Sequence, residues 1–146
     1  GDRIWLGYSF AMGLKLGFAY DWSSNDNGAA TFVGTTKQKR GAWYLPVSYS
    51  WGPHAVYASY ARAGDTSNSA AIDTGASAWN LGYDYAFSKR TSMGIFYTQL
   101  NNKTGGNYNL KSLGGSGATA IGAGGAGTTG LGADARQWYI GMAHSF

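Results

Sequence analysis

Apolar and polar residues alternate with a period of two along most of this chain. In 14–22, Leu14, Leu16, Phe18, Tyr20 and Trp22 alternate with Lys15, Gly17, Ala19 and Asp21. Three other segments repeat the pattern: Trp43, Leu45, Val47, Tyr49 and Trp51 in 42–51, Trp79, Leu81, Tyr83, Tyr85 and Phe87 in 77–87, and Trp138, Ile140, Met142, His144 and Phe146 in 135–146. A strand sends successive side chains to opposite faces, whereas a helix repeats every 3.6 residues, so these four segments are predicted strands. Each runs about nine to eleven residues, longer than a soluble strand and suited to a tilted membrane crossing.

Three further strands are expected at 3–10, 55–63 and 91–101. In the first, Ile4, Leu6, Tyr8 and Phe10 share one side. The other two carry small or apolar residues on both faces, so their facing is assigned from neighbours. Arg62 is expected to face water, which turns Ala55, Tyr57, Ser59 and Ala61 to lipid. In 91–101, Gly94, Phe96, Thr98 and Leu100 are expected to point outward.

The connections alternate in length. Ala11–Gly13, Gly52–His54 and Ser88–Arg90 are tight turns, whereas Ser23–Gly41, Gly64–Ala76 and Asn102–Ala133 are long and polar. Short turns at one end and long loops at the other is the asymmetry of an outer-membrane β-barrel. The predicted fold is therefore all-β: an antiparallel transmembrane barrel wall of seven strands spanning 1–146 as one partial domain. Barrels of this kind have even strand numbers, so the chain is expected to begin in mid-barrel, with edge strands that need partners. The opening residues carry no basic and then apolar leader run, so a leader has been removed or the chain starts internally. The glycine-dense stretch Gly122-Ala-Gly-Gly-Ala-Gly127 is expected to stay mobile, because it has little apolar surface to bury.

Composition sharpens this picture. Tyr 11 and Trp 6 with Gly 24, against Pro 2 and Cys 0, fits aromatic strands with glycine turns and excludes disulfides and thiolate metal sites. No run approaches the ~18 apolar residues of a membrane helix. A mean hydropathy of −0.25 argues against a helical bundle but not against strands that meet lipid only at every second residue. Trp22, Trp43, Trp51, Trp79 and Trp138 fall near strand ends, where aromatic girdles sit at the two interfaces. A sugar-stacking platform in a soluble lectin is the rival for those rings.

Eleven Lys+Arg against seven acidic groups leave a formal charge of +4. The basic residues are scattered apart from Lys37, Lys39 and Arg40, which disfavours nucleic-acid binding and fits an affinity for anionic lipid or an anion-favouring lumen. Gly122–Gly127 matches G-x-G-x-x-G but lies in a low-complexity loop without the required strand and helix. Gly105–Ser112 resembles a phosphate-binding loop, yet Leu110 replaces the glycine before Lys111. His54 and His144 sit near the short-turn rim with no Glu, Cys or third His converging on them, so neither catalysis, metal nor cofactor is expected.

The final segment, Asp134-Ala-Arg-Gln-Trp-Tyr-Ile-Gly-Met-Ala-His-Ser-Phe146, resembles the closing strand of the trimeric general porins of Gram-negative bacteria. Tyr85-Ala-Phe-Ser-Lys-Arg-Thr-Ser-Met and Ile95-Phe-Tyr-Thr-Gln-Leu-Asn-Asn resemble that family's penultimate turn and the strand after it. The resemblance spans essentially the whole chain and is most specific in its last third. It implies a sixteen-stranded barrel in the outer membrane, assembled as a homotrimer, of which these are the last seven strands. The family's constriction loop would lie outside this chain. Ala143 stands where the family leads one to expect a basic residue.

The expected function is passive diffusion of small hydrophilic solutes and ions. Arg3, Lys15, Asp21, Arg62, Asn80 and Asp84 are the expected wall residues. The resemblance further implies that Trp138, Ile140, Met142, His144 and Phe146 form an assembly signal read by the barrel-assembly machinery. Partners are then outer-membrane lipid, two further copies, that machinery, and the solutes. The alternatives are a non-conducting barrel serving as adhesin or envelope anchor, and a soluble glycan-binding β-protein.

Overall fold

The computed structural model describes residues 1–26, 37–69, 72–108, 110 and 131–146. Seven strands follow in chain order: β1 (Asp2–Ser9), β2 (Leu14–Asp26), β3 (Lys37–Trp51), β4 (His54–Ala63), β5 (Ala76–Ser88), β6 (Thr91–Asn102) and β7 (Ala135–His144). They make one sheet in the order β1-β2-β3-β4-β5-β6-β7, every pair antiparallel. The sheet does not close: among the described residues β1 and β7 each have one neighbour. The Gly122–Gly127 motif and the end of Gly105–Ser112 lie outside the described residues.

β2 and β3 run deeper into their connection than alternation alone marks. Ser23, Ser24, Asn25 and Asp26 pair with Arg40, Lys39, Gln38 and Lys37, so the basic cluster sits on a strand and not in a loop. The segment after β4 then lies against this extension. The Ser67 N–H donates to the Lys39 carbonyl at 2.9 Å, and the Ser67 hydroxyl accepts from the Lys39 N–H at 3.0 Å. Hydrogen bonding by the backbone drives this continuation, and it leaves no hydropathy signature.

At the short-turn end, glycine takes conformations that few other residues adopt. Gly13 has φ 86° and Gly52 φ 53°, both in the left-handed region. The first turn is closed by the Phe10 N–H donating to the Leu14 carbonyl at 2.8 Å, and the Gly13 carbonyl accepts from the Ser50 N–H at 3.1 Å.

Register carries one apolar series across the whole sheet. Tyr8, Leu16, Val47, Ala58, Leu81, Tyr97 and Trp138 stand successively opposite one another, and residues opposite share a face. The other face reads Ser9, Lys15, Ser48, Tyr57, Gly82, Phe96 and Tyr139 in the same way.

Two sequence expectations are overturned here. On β4, Trp51 pairs with His54, so Val56, Ala58, Tyr60 and Arg62 join the apolar face, while Ala55, Tyr57, Ser59 and Ala61 lie on the polar one. On β6, Met93, Ile95 and Tyr97 are outward, opposite Tyr85, Tyr83 and Leu81, and Gly94, Phe96, Thr98 and Leu100 point inward. The tight turns set the phase of each strand, and a single arginine cannot override a ten-residue ladder.

The apolar face is banded. Rings gather near the short turns (Tyr49–Trp51 at 5.2 Å, Tyr85–Phe87 at 5.0 Å) and again near the long connections (Trp43–Tyr60 at 5.2 Å, Tyr97–Trp138 at 4.6 Å). Between Trp43 and Trp51 lie eight residues of rise, about 27 Å along the strand and roughly 20 Å after tilt, close to the apolar band of a barrel. Most large apolar side chains are exposed, and among the described residues the buried hydrophobic core is Ala76, Leu100 and Ala135. Burial in water does not hold this sheet together; the backbone ladder does, with lipid for its solvent.

Candidate pore wall

Of the expected wall residues, Arg3, Lys15, Asp21, Asn80 and Asp84 share the polar face. Arg62 does not. It lies on the apolar face between Trp43 and Ser77, at the rim near the long connections, where its long stem can lie along the aromatics while the guanidinium reaches water.

Arg3 and Asp21 are direct cross-strand partners. The Arg3 Nε and Nη2 both donate to Asp21 Oδ2, at 3.0 and 2.8 Å, so the two charges largely cancel. Asn80 Nδ2 donates to Thr98 Oγ1 at 2.6 Å, again straight across the ladder. Asp84 stands between Ala55 and Gly94, and its Oδ1 is shielded without a hydrogen-bond partner among the described residues.

Arg40 belongs with this set, although the sequence alone suggests a loop cation. It is on the polar face, its Nη1 donates to the Tyr108 hydroxyl at 2.7 Å, and its guanidinium lies 5.4 Å from the centre of that ring. Tyr108 comes from the segment after β6, which folds back over this face. Tyr108 and Leu110 pack against Ala76, Leu100 and Ala135. Asn102 anchors the fold-back, donating through Nδ2 to the Tyr108 and Ala133 carbonyls at 2.9 and 2.6 Å and accepting from the Tyr108 N–H at 3.0 Å. The ladder turns Leu100 inward, and this cover buries it there.

Outside the strands, Asp65 gathers the rim. Lys103 Nζ donates to its Oδ2 at 2.7 Å and the Gly75 N–H to its Oδ1 at 2.8 Å, while Asp73 Oδ1 is 3.9 Å from the same ammonium. The Lys103 bond, then the Gly75 bond, hold the Asp65 carboxyl below the usual carboxylate range.

At the far edge, Trp138, Ile140, Met142 and His144 lie on the apolar face opposite Tyr97, Ile95, Met93 and Thr91. His144 Nδ1 is 2.9 Å from the Thr91 hydroxyl, and its ring meets the edge of Phe146 at 5.0 Å. Among the described residues no group of three or more His, Cys, Asp or Glu side chains could hold a metal ion.

Alternation places Tyr44 and Tyr139 on the polar face, where the register also puts them, whereas Tyr57 and Phe96 are there against expectation. Trp5, Tyr44, Tyr57, Phe96 and Tyr139 all lie there. The available signal was glycine placement: Gly17 sits beneath Trp5, and Gly82 and Gly94 beneath Phe96, where a Cβ would strike the ring, while at Gly7 it would stand a tight 3.1 Å from Trp5.

An antiparallel sheet with a ring-banded apolar face and an opposite face carrying the polar side chains, its register shifted only near the Ala86–Ser88 turn among the described residues, is the wall of a transmembrane β-barrel. A sequence model described as Gram-negative porin matches residues 3–106. This chain belongs to the Gram-negative porin family, a family of outer-membrane channels and not of enzymes. Among solved structures it is similar to an anion-selective porin from Comamonas acidovorans, with 26% sequence identity and a TM-score of 0.69. That likeness covers 99% of this chain and 39% of the Comamonas chain, so the present chain spans about two fifths of its relative. No curated protein matches the sequence.

Proposed function

We propose that these seven strands form part of the wall of a closed, water-filled barrel that passes small hydrophilic solutes and ions passively. The observation that carries this is the two-faced register: the seven strands keep Arg3, Lys15, Asp21, Ser48, Ser59, Asn80, Asp84, Thr98 and Gln137 on one side and an apolar, ring-banded series on the other. A polar inner face keeps a bore wet without binding chemistry. The strands of β1 and β7 that lack a second neighbour would pair with further strands, because unpaired backbone groups in hydrocarbon cost several kcal/mol each. Assembly as a homotrimer, and recognition of β7 by the barrel-assembly machinery, belong to the same proposal.

A mild anion preference follows from the wall charges. With Arg3 and Asp21 bonded to each other, Lys15 and Arg40 remain against Asp84. The name of the Comamonas relative supports that direction. The assembled protein in a planar bilayer should give stepwise, ohmic conductance, with a reversal potential in a KCl gradient of the sign for chloride over potassium. Lys15→Gln should shift it toward potassium. A membrane-inserted protein that never conducts would favour an adhesin or anchor instead.

A further inference from the structure

We propose that the polar face holds a subsite for aromatic carboxylates, in a hollow walled by Trp5 and Tyr44 on one side and by Tyr57 and Phe96 on the other, with Lys15 lining it from β2. The proposal rests on the reading that this face lines a water-filled bore. The hollow measures about 740 Å³, within the ~300–1,000 Å³ of small-molecule sites. Lys15 is the one charged side chain lining it among the described residues.

Flat rings need flat ground, and glycine supplies it. A Cβ on Gly17 would come within 2.7 Å of Trp5 Cζ3 and 2.8 Å of Pro46 Cγ, so the indole lies down across the strand and meets the proline ring. Phe96 lies likewise over its cross-strand partner Gly82, and over Gly94 at 2.8 Å from where a Cβ would stand. Tyr57 and Tyr139 flank Phe96, with ring centroids 5.9 and 6.2 Å away, making a strip of three rings across β4, β6 and β7.

Covering a glycine backbone is the structural use of such a ring, and one face suffices for it. Among the described residues Trp5 nevertheless remains 61% exposed, with Gly17 and Pro46 beneath the indole. An exposed π-face stacks on another flat ring, and a carboxylate on that ring answers the Lys15 ammonium. Ser48, Ser59 and Asn80 line the same hollow and add hydrogen-bonding groups for the carboxylate and its water. A small anion without a ring would use Lys15 alone, and a neutral ring the aromatics alone.

Benzoate, acetate and benzamide separate these contributions. In bilayers holding the assembled pore, reversal potentials under sodium benzoate against sodium acetate should show benzoate the more permeant, against the order of size. Saturation-transfer NMR in detergent should mark benzoate ring protons and leave benzamide weaker. Removing one stacking partner by Trp5→Ala or Phe96→Ala should weaken benzoate binding about threefold to tenfold, while Trp5→Tyr should keep most of it and guard against a folding defect. Wild-type protein that gives no transfer to benzoate overturns the subsite, and so does acetate permeating better than benzoate. Equal transfer to benzamide or maltose overturns the carboxylate assignment. A protein that never conducts but marks benzoate would sink the diffusion function and leave the subsite standing.

Discussion

Arg62 stands directly across the ladder from Trp43, on the apolar face of the sheet. A cation there is tolerable only near an interface, where the stem runs along a ring and the head escapes to water. The pairing therefore places the β4 rim at headgroup level and fixes the phase of every residue below it.

That phase can be tested on adjacent residues. Ala58 lies between Val47 and Leu81 on the apolar face, and Ser59 beside it lies between Pro46 and Asn80 on the polar one. Ala58→Arg should cost about 2–4 kcal/mol of folding stability near the bilayer midplane. Ser59→Arg should fold nearly as the parent does and change conductance instead. Urea titrations of refolding into vesicles, set beside single-channel records, would expose the opposite pattern if the strand is out of phase.

The two left-handed turn glycines should differ in tolerance. A Cβ on Gly13 would collide with the Ser50 carbonyl, whereas nothing lies within 4 Å of the corresponding position at Gly52. Gly52→Asn should be nearly neutral, since asparagine accepts this conformation. Gly13→Ala combines an unfavourable φ with a backbone clash and should cost about 1–3 kcal/mol. Equal midpoints for the two variants would show that the first turn relaxes freely.

Acid should loosen the rim before the sheet. The Asp65 carboxyl is held below its ordinary value by Lys103 and Gly75, so its contribution is whole above the unfolded carboxylate range. It is lost as pH falls through the lower, folded value. Amide exchange at Gly75, whose N–H donates to Asp65, should accelerate across that window while amides of β4 and β5 stay protected. In Asp65→Asn the acceleration with acid should disappear. Uniform exchange across rim and strands would count against a local clasp.

Deleting Phe146 should reduce assembly more than stability. Among the described residues Phe146 is wholly exposed, at 106%, and its one ring contact is the edge of His144. Little packing is therefore forfeited when it goes. In the full-length protein, the amount reaching the outer membrane should fall and precursor should collect in the periplasm, with the assembled fraction nearly as heat-resistant as the parent. Normal assembly with a lowered melting temperature would make Phe146 a packing residue only.

Where a strand shows one face to lipid and the other to water, alternation in the sequence is enough to find it. Trp43 to Trp51, Trp79 to Tyr85 and Trp138 to His144 face as their pattern predicts, because hydrocarbon tolerates polar groups so poorly that each position is forced. The inward facing of Arg3, Asp21 and Asn80 follows from the same rule, whereas Thr98 faces inward against expectation. β4 and β6 were different: Ala55 to Ala63 and Gly94 to Leu100 suit either face by composition, so only ladder register, transmitted through Trp51–His54 and Ala86–Ser92, could choose. Tertiary structure likewise decided what no local pattern encodes. Tyr108 folds back onto Arg40, Leu100 is buried beneath that cover, and Trp5 and Phe96 lie flat over glycines contributed partly by neighbouring strands. Alternation is a property of one strand in its solvent, whereas these contacts belong to pairs of strands, and their geometry exists only once the ladder has aligned them.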